Sequence, residues 1–188
     1  MIKAYEFIAN GTEEIEALTV VDVLRRAGVD IKTVSINDTE EVELSHGVRM
    51  VCDLAFKDAD VSDADMLLLP GGLPGTYNLN DHEGLKEAIM KHAQAGKKYG
   101  AICAAPIILG GLGLLKGKKA TCYPGCEDQM TGAIYTADVF TVDGNVITGC
   151  GPAATLPYSY AILEMLGEKD KADALREGMM FNRLMVKG

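Results

Sequence analysis

The sequence lacks the features that mark several functional classes. It has no Lys/Arg stripe. Its clustered basic residues, Lys97-Lys98 and Lys116 with Lys118-Lys119, form short runs between expected elements, and the net charge is −9. Such runs suit solvated loops, and no nucleic-acid partner is expected. No stretch approaches the ~20 apolar residues that a membrane span requires, so no membrane partner is expected either. Met1-Ile2-Lys3 leads straight into an alternating strand pattern rather than a leader. The five cysteines (Cys52, Cys103, Cys122, Cys126 and Cys150) are odd in number and scattered. They do not read as a secreted disulfide framework, and a reducing cytoplasm is the expected location. Histidine is scarce, with only His46, His82 and His92, and no repeat or low-complexity segment is visible.

What is present suits one α/β domain over residues 1–188, with 48% hydrophobic and 24% charged residues. Residues 2–9 read as a strand. Residues 13–27 carry Ile15, Leu18, Val21 and Leu24 at helical spacing before Gly28. Residues 30–36 form a second strand, 37–47 a polar connection, and 48–56 a short strand pair at the sheet edge. Asp65-Met66-Leu67-Leu68-Leu69-Pro70-Gly71-Gly72 is a near-continuous apolar run ending in glycine, as in a parallel strand buried on both faces. An amphipathic helix over 82–95 and a strand over 98–102 follow. A helix is expected over 104–115, strands over 119–123 and 139–149 (the latter a hairpin around Asp143-Gly144), a helix over 153–166, and a helical tail over 170–186. The alternation implies a flavodoxin-like, doubly wound, mostly parallel sheet flanked by helices. In such folds the site lies beyond the carboxyl ends of the strands.

Three segments should meet there: Gly11 to Glu16, Pro70-Gly71-Gly72, and Gly100 to Pro106. Cys103 stands where a strand stops abruptly, between Gly100 and Ala104-Ala105, as a nucleophile elbow requires. A helix N-terminus behind it favours thiolate. A strained backbone at Cys103 is therefore expected. On local residues alone a buried structural cysteine fits equally well. Glu16 alone suits an exposed first-turn glutamate, and Gly71-Gly72 a plain strand-ending turn. Cys122 and Cys126 have C-x3-C spacing, weak evidence for metal, and Cys126 is a candidate to resolve an oxidised Cys103. Cys52 and Cys150 read as core. His82 and His92 fall on or beside a helix where a solvated role is expected.

The stretch Ala101-Ile102-Cys103-Ala104-Ala105-Pro106, with Leu69-Pro70-Gly71-Gly72, Gly11-Thr12-Glu13-Glu14-Ile15-Glu16 and Arg25-Arg26-Ala27-Gly28, resembles the ThiJ/PfpI superfamily, and within it the Parkinsonism-associated deglycase branch. The resemblance implies that Cys103 is the nucleophile or oxidisable thiol, that Glu16 is the acid against its sulfur, and that Gly72 and Ala104 supply oxyanion-hole N–H groups. Tyr123, a possible substrate contact, stands where that branch often has histidine, and His46 where some members have arginine. The histidine that follows the cysteine in protease relatives is Ala104 here, which disfavours a Cys-His protease or glutaminase. No phosphate-binding loop supports thiazole biosynthesis.

The resemblance implies a cysteine-dependent enzyme acting on reactive 2-oxoaldehydes, of glutathione-independent glyoxalase or deglycase type, with a small aldehyde as partner and neither metal nor cofactor. The alternative is a redox-sensing or chaperone-like stress protein whose Cys103 is oxidised to sulfinate before the other cysteines. A homodimer is implied, with Val20, Val21, Leu24 and Arg25-Arg26 near the interface. Glu16 and Cys103 are expected to share one proton, held mostly by Glu16.

Overall fold

The computed structural model describes residues 1–186. Its strands are β1 (Lys3–Ile8), β2 (Asp30–Ser35), β3 (Glu41–Glu43), β4 (Arg49–Val51), β5 (Leu54–Ala55), β6 (Met66–Leu69), β7 (Lys98–Ile102), β8 (Lys119–Ala120), β9 (Ile134–Tyr135), β10 (Phe140–Asp143) and β11 (Val146–Gly149). Its helices are α1 (Glu14–Arg26), α2 (Gly75–Asp81), α3 (Glu83–Gln94), α4 (Pro106–Gly111), α5 (Thr155–Met165), α6 (Lys169–Gly178) and α7 (Phe181–Met185). Seven strands form the central sheet in the order β10-β11-β7-β6-β1-β2-β5. All its neighbours are parallel except β10, which pairs antiparallel with β11. The mostly parallel, helix-flanked sheet is the expected fold class.

Burial on both faces explains the apolar strands. All four residues of β6 are buried. One face packs Ala4, Leu68 and Ile147 beneath α1 and α5, and the other packs Phe7, Leu67 and Tyr99 with residues of α2, α3 and α4. Each fully buried Leu or Ile contributes roughly 1.5–3 kcal/mol. Helix α1 begins as its acids suggest: Glu13 is the N-cap, and its Oε2 accepts from the Glu16 N–H at 2.9 Å.

Several expectations need correction. Within the 37–47 connection, Glu41–Glu43 forms β3, which pairs antiparallel with β4 in a separate hairpin; only β5 joins the sheet edge. Val42 is buried while Glu41 and Glu43 are exposed, so three residues of alternation suffice because Val42 packs on Ile8 and Ala17. The expected strand over 119–123 shrinks to β8, paired with β9 outside the central sheet. Helix α2 was not anticipated, and α4 covers only six residues of the expected 104–115. Val20, Val21 and Leu24 are not free for an interface, because the chain's own core buries them beside α5. The exposed apolar residues of α1 are Ile15 and Leu18. Cys150 is only partly buried, whereas Cys52 is in the core as expected. Among the described residues no helix is long and apolar enough to cross a membrane.

His92 also departs from expectation. It is buried, and its Nε2 lies 2.8 Å from the Lys98 carbonyl oxygen, so it ties α3 to the start of β7. Burial lowers its pKa below the ordinary 6.5. The folded state therefore resists protonation that the unfolded chain accepts. His92 favours the fold above its unfolded pKa and loses that contribution as pH falls below it. Between roughly pH 6.5 and 5, urea denaturation of His92→Gln should show a shallower loss of stability than the natural chain. Identical slopes would remove His92 from the acid response.

Candidate active site

Two backbone turns, those after β1 and β6, are locked together before any side chain enters the site. The Glu13 N–H donates to the Gly71 carbonyl at 3.0 Å, and the Gly75 N–H to the Gly11 carbonyl at 3.1 Å. Gly72 has φ 89°, and a Cβ there would lie 2.5 Å from the Glu13 nitrogen. Both the left-handed backbone and the close approach require glycine. The N-terminus of α1 is thereby pressed against the turn after β6.

Cys103 occupies the residue after β7 with φ 62°. A left-handed conformation is costly outside glycine and persists only where its surroundings hold it. Here the Cys103 N–H donates to the Gly149 carbonyl at 2.9 Å, and the Cys103 carbonyl accepts from the Tyr123 N–H at 2.7 Å. The residue is 7% exposed.

Glu16, in the first turn of α1, is fully buried. Its Oε2 accepts from the Gly71 N–H at 2.8 Å. Its Oε1 takes no N–H or O–H donor among the described residues, and the Cys103 thiol is the carboxyl's remaining hydrogen-bonding partner. Burial raises the Glu16 pKa to about 7, against the lowering effect of the Cys103 and Gly71 hydrogen bonds. Burial, followed by the charge and hydrogen bond of Glu16, raises the Cys103 thiol; the Gly72 and Ala104 N–H groups act in the opposite direction. The expected thiolate-favouring helix is weak, since α4 begins only at Pro106 and is short. The thiol is therefore suppressed while Glu16 is charged, and relieved of that charge when Glu16 holds a proton.

The structure thus brings Glu16, Gly72 and Ala104 to the Cys103 sulfur. Tyr123 reaches the site through its backbone, while its half-exposed ring stands beside Gly151. His46 lies on the surface, where its Nδ1 is 2.8 Å from Glu14 Oε2 and its N–H donates to Glu14 Oε1 at 2.6 Å. Glu13, Glu14 and His46 each offer a ligand atom within 4.8 Å of the others. A cation there would compete with the α1 N-cap and with both His46 contacts. Cys122 is buried, with its thiol pushed up to about 12 chiefly by burial; Cys126, partly buried, is the neighbour whose N–H faces that thiol.

Sequence reasoning missed the particular role of Gly71. A Cβ at this position would lie 2.7 Å from the Cys103 Cβ, 2.8 Å from Glu16 Oε2 and 2.8 Å from the Ile102 carbonyl. Gly71 is thus both the donor to Glu16 and the gap that lets acid and thiol meet. The Gly71-Gly72 pair was the available signal, but a strand-ending turn explained it equally well.

Comparison with known proteins shows the family to which this fold belongs. The DJ-1/PfpI family description matches residues 2–165. "Protein DJ-1 homolog A" of Arabidopsis thaliana is 39% identical over 169 residues, covering 88% of this chain and 43% of the relative. The chain thus spans less than half the length of that relative. "Glutathione-independent glyoxalase DJR-1.2" of Caenorhabditis elegans is 33% identical over 165 residues, covering 87% of each chain. The solved structure of oxidized Toxoplasma gondii DJ-1 superposes with a TM-score of 0.92 at 31% identity, covering 96% of this chain and 98% of that one. With a family match over most of its length and relatives above 30% identity, the chain belongs to the DJ-1/PfpI family.

Proposed function

We propose that this chain is a cysteine-dependent enzyme that converts small 2-oxoaldehydes, methylglyoxal among them, to 2-hydroxy acids without glutathione. The observation that carries the reading is the buried Glu16 carboxyl placed against the Cys103 thiol. The glyoxalase relative from Caenorhabditis elegans supports it. Five free cysteines suit the reducing cytoplasm proposed for it.

The chemistry needs two groups and one mobile proton. Sulfur adds to the aldehyde carbon, and the pair's proton passes to the carbonyl oxygen, giving a hemithioacetal. Glu16, now ionised, removes the proton from that carbon to leave an enediolate. The same carboxyl returns the proton to the neighbouring carbon, and the hydroxyl proton passes from the sulfur-bearing carbon's oxygen to the neighbouring oxygen, which produces a 2-hydroxy thioester. Water hydrolyses the thioester, releasing the hydroxy acid and restoring the thiol. Oxidation of one carbon balances reduction of the other, so no external redox partner is needed. The Gly72 and Ala104 N–H groups are the available donors for developing oxyanions.

The N–H groups at the Cys103 sulfur also favour a second reading, in which peroxide oxidises the thiolate to sulfenate and then sulfinate. Lactate formation from methylglyoxal and intact mass after mild peroxide separate the two. The enzymatic reading expects lactate from the natural chain and none from Cys103→Ala. Stoichiometric sulfinate without turnover would replace it with the sensor reading.

Glu16→Gln should retain much of the thiol's reactivity, because an amide can still donate, yet lose lactate formation by roughly 10²-fold or more. Glu16→Leu should lose both. Full turnover in Glu16→Gln would eliminate the carboxyl as proton carrier. Glu16→Gln should also stabilise the fold at neutral pH. A buried acid with a raised pKa favours the fold below its unfolded pKa, and that contribution is lost as pH rises through about 7. Denaturation at pH 8 and pH 4.5 should show an advantage of the order of 2–3 kcal/mol at the higher pH only.

Gly71→Ala tests the contact between the two groups independently. The added methyl must displace the Cys103 Cβ, Glu16 Oε2 or the Ile102 carbonyl. Turnover and Cys103 alkylation should both fall while the circular dichroism spectrum is retained. Unchanged rates would show that the contact is not required.

We also propose a homodimer formed through the exposed residues Ile15 and Leu18 of α1 together with Val51 of the hairpin. Light scattering should report twice the monomer mass, reverting to the monomer in Leu18→Glu. A monomer from the natural chain at micromolar concentration rejects this assembly.

A further inference from the structure

The interior holds a second carboxylic acid that the aldehyde chemistry does not use. Glu6 sits within β1 and is 1% exposed. Tyr5 and Phe7 pack with the α2–α4 layer, whereas Ala4 packs beneath α1 and α5. Strand alternation places Glu6 on the same face as Ala4, the face that also receives Glu16 from α1.

Strand register extends this face toward the catalytic strand. Thr33, Glu6, Leu68, Gly100 and Ile147 form one row across β2, β1, β6, β7 and β11. A Cβ at Gly100 would lie 2.6 Å from the Tyr158 hydroxyl and 2.9 Å from Leu68 Cδ2. The missing side chain at Gly100 therefore lets the Tyr158 hydroxyl sit down on the sheet, two strands from Glu6 and three residues before Cys103.

Glu6 Oε2, Tyr158 Oη and Glu16 Oε1 are all buried and without a conventional hydrogen-bond partner among the described residues. Three such oxygens on one face contrast with interiors in which nearly every buried polar atom is paired. The titratable and charged groups around Glu6 are Glu16 and Arg25 from α1, Tyr158 from α5 and Cys52 from the segment before β5. Arg25 is already engaged: its guanidinium lies 2.5 Å from Asp53 Oδ2 and 3.3 Å from the Ile31 carbonyl. Burial, and next the Glu16 charge, hold Glu6 well above the usual carboxylate range.

We propose that Glu6 is a positioning acid: its protonated carboxyl, with the Tyr158 hydroxyl and bridging internal water, supplies hydrogen-bond donors to the Oε1 edge of Glu16 and so sets the pH at which the Glu16–Cys103 pair releases its first proton. The inference rests on Glu16 being the proton partner of Cys103. A neutral Glu6 stabilises the charged form of Glu16, and removing the donor makes Glu16 hold its proton to higher pH.

The test is the pH profile of iodoacetamide alkylation at Cys103, resolved by mass spectrometry, in the full chain. Glu6→Leu should move the first step upward by roughly half a pH unit to one unit. Glu6→Gln should retain the natural profile, because an amide still donates. Tyr158→Phe, which deletes only the hydroxyl, should follow Glu6→Leu. Infrared spectra at pH 8 should show a carbonyl stretch of a protonated carboxyl that Glu6→Gln removes and Glu16→Gln leaves in place. An unmoved step in both Glu6→Leu and Tyr158→Phe overturns the proposal. So does an equal shift in Glu6→Gln and Glu6→Leu, or absence of the carbonyl band from the natural chain. These readouts are independent of turnover. A natural chain that forms no lactate strikes the aldehyde reading alone, whereas an unmoved profile strikes the role of Glu6 alone.

Discussion

A carboxyl buried against a thiol without a countercharge is the constraint around which this molecule is arranged. An isolated ionised carboxylate is expensive to bury, and the usual remedies are pairing or neutralisation. Glu16 has neither lysine nor arginine among the groups that shift it. It has one backbone N–H at 2.8 Å, a thiol and a raised proton affinity. Three contacts hold it there. Glu13 caps the helix that carries it, the Gly71 carbonyl accepts from the Glu13 N–H, and the Gly71 N–H donates to Glu16 itself. The same small loop thus anchors the acid's helix and the acid's oxygen, which makes the separation between Glu16 and Cys103 a property of the backbone.

The parallel sheet supplies the other half. Cys103 leaves β7 with φ 62°, and strain of this kind persists where the surroundings hold it in place. β11 accepts its N–H through Gly149, and the turn after β8 donates to its carbonyl through Tyr123. Neither contact involves the thiol, so sulfur chemistry can change while the backbone stays fixed. Tyr123 thereby acts on the site through its main chain, a role independent of whether residue 123 is tyrosine or histidine.

Strong local signals made part of this legible from the sequence. The run Met66-Leu67-Leu68-Leu69 ending in glycine reads as a strand buried on both faces, and the three turns at the strand ends mark where Glu16, Gly72 and Ala104 come to Cys103. What was missed depends on tertiary context. Val42 makes a three-residue strand meaningful only because Ile8 and Ala17 wait beneath it. His92 reads as a solvated helix residue until α3 packs on the sheet and presents the Lys98 carbonyl to its ring. Val20, Val21 and Leu24 look like surplus apolar surface until α5 covers them. Small residues after Cys103 suggested a long helix, yet after six residues the helix closes at Gly111, with Leu112 as its cap.

Glu6 is the sharpest case of a legible signal left unread. A glutamate flanked by Tyr5 and Phe7, in a strand whose parallel neighbours bury both faces, violates the rule that such strands are apolar. Its isolation decides its charge. Arg25 is turned to Asp53, and Glu16 lies on the same face, so two negative charges there would repel in a poorly screened interior. Glu16 has a hydrogen bond from Gly71 that Glu6 lacks, so Glu16 ionises first and Glu6 remains neutral. A neutral carboxyl is a donor as well as an acceptor, and Tyr158 is both as well. On the proposed reading, the interior beneath α1 and α5 carries one negative charge, shared by the Glu16–Cys103 pair while Glu6 is neutral. The turn after β6 favours Glu16 over Glu6 as the place of that charge, because the Gly71 N–H donates to Glu16 at 2.8 Å.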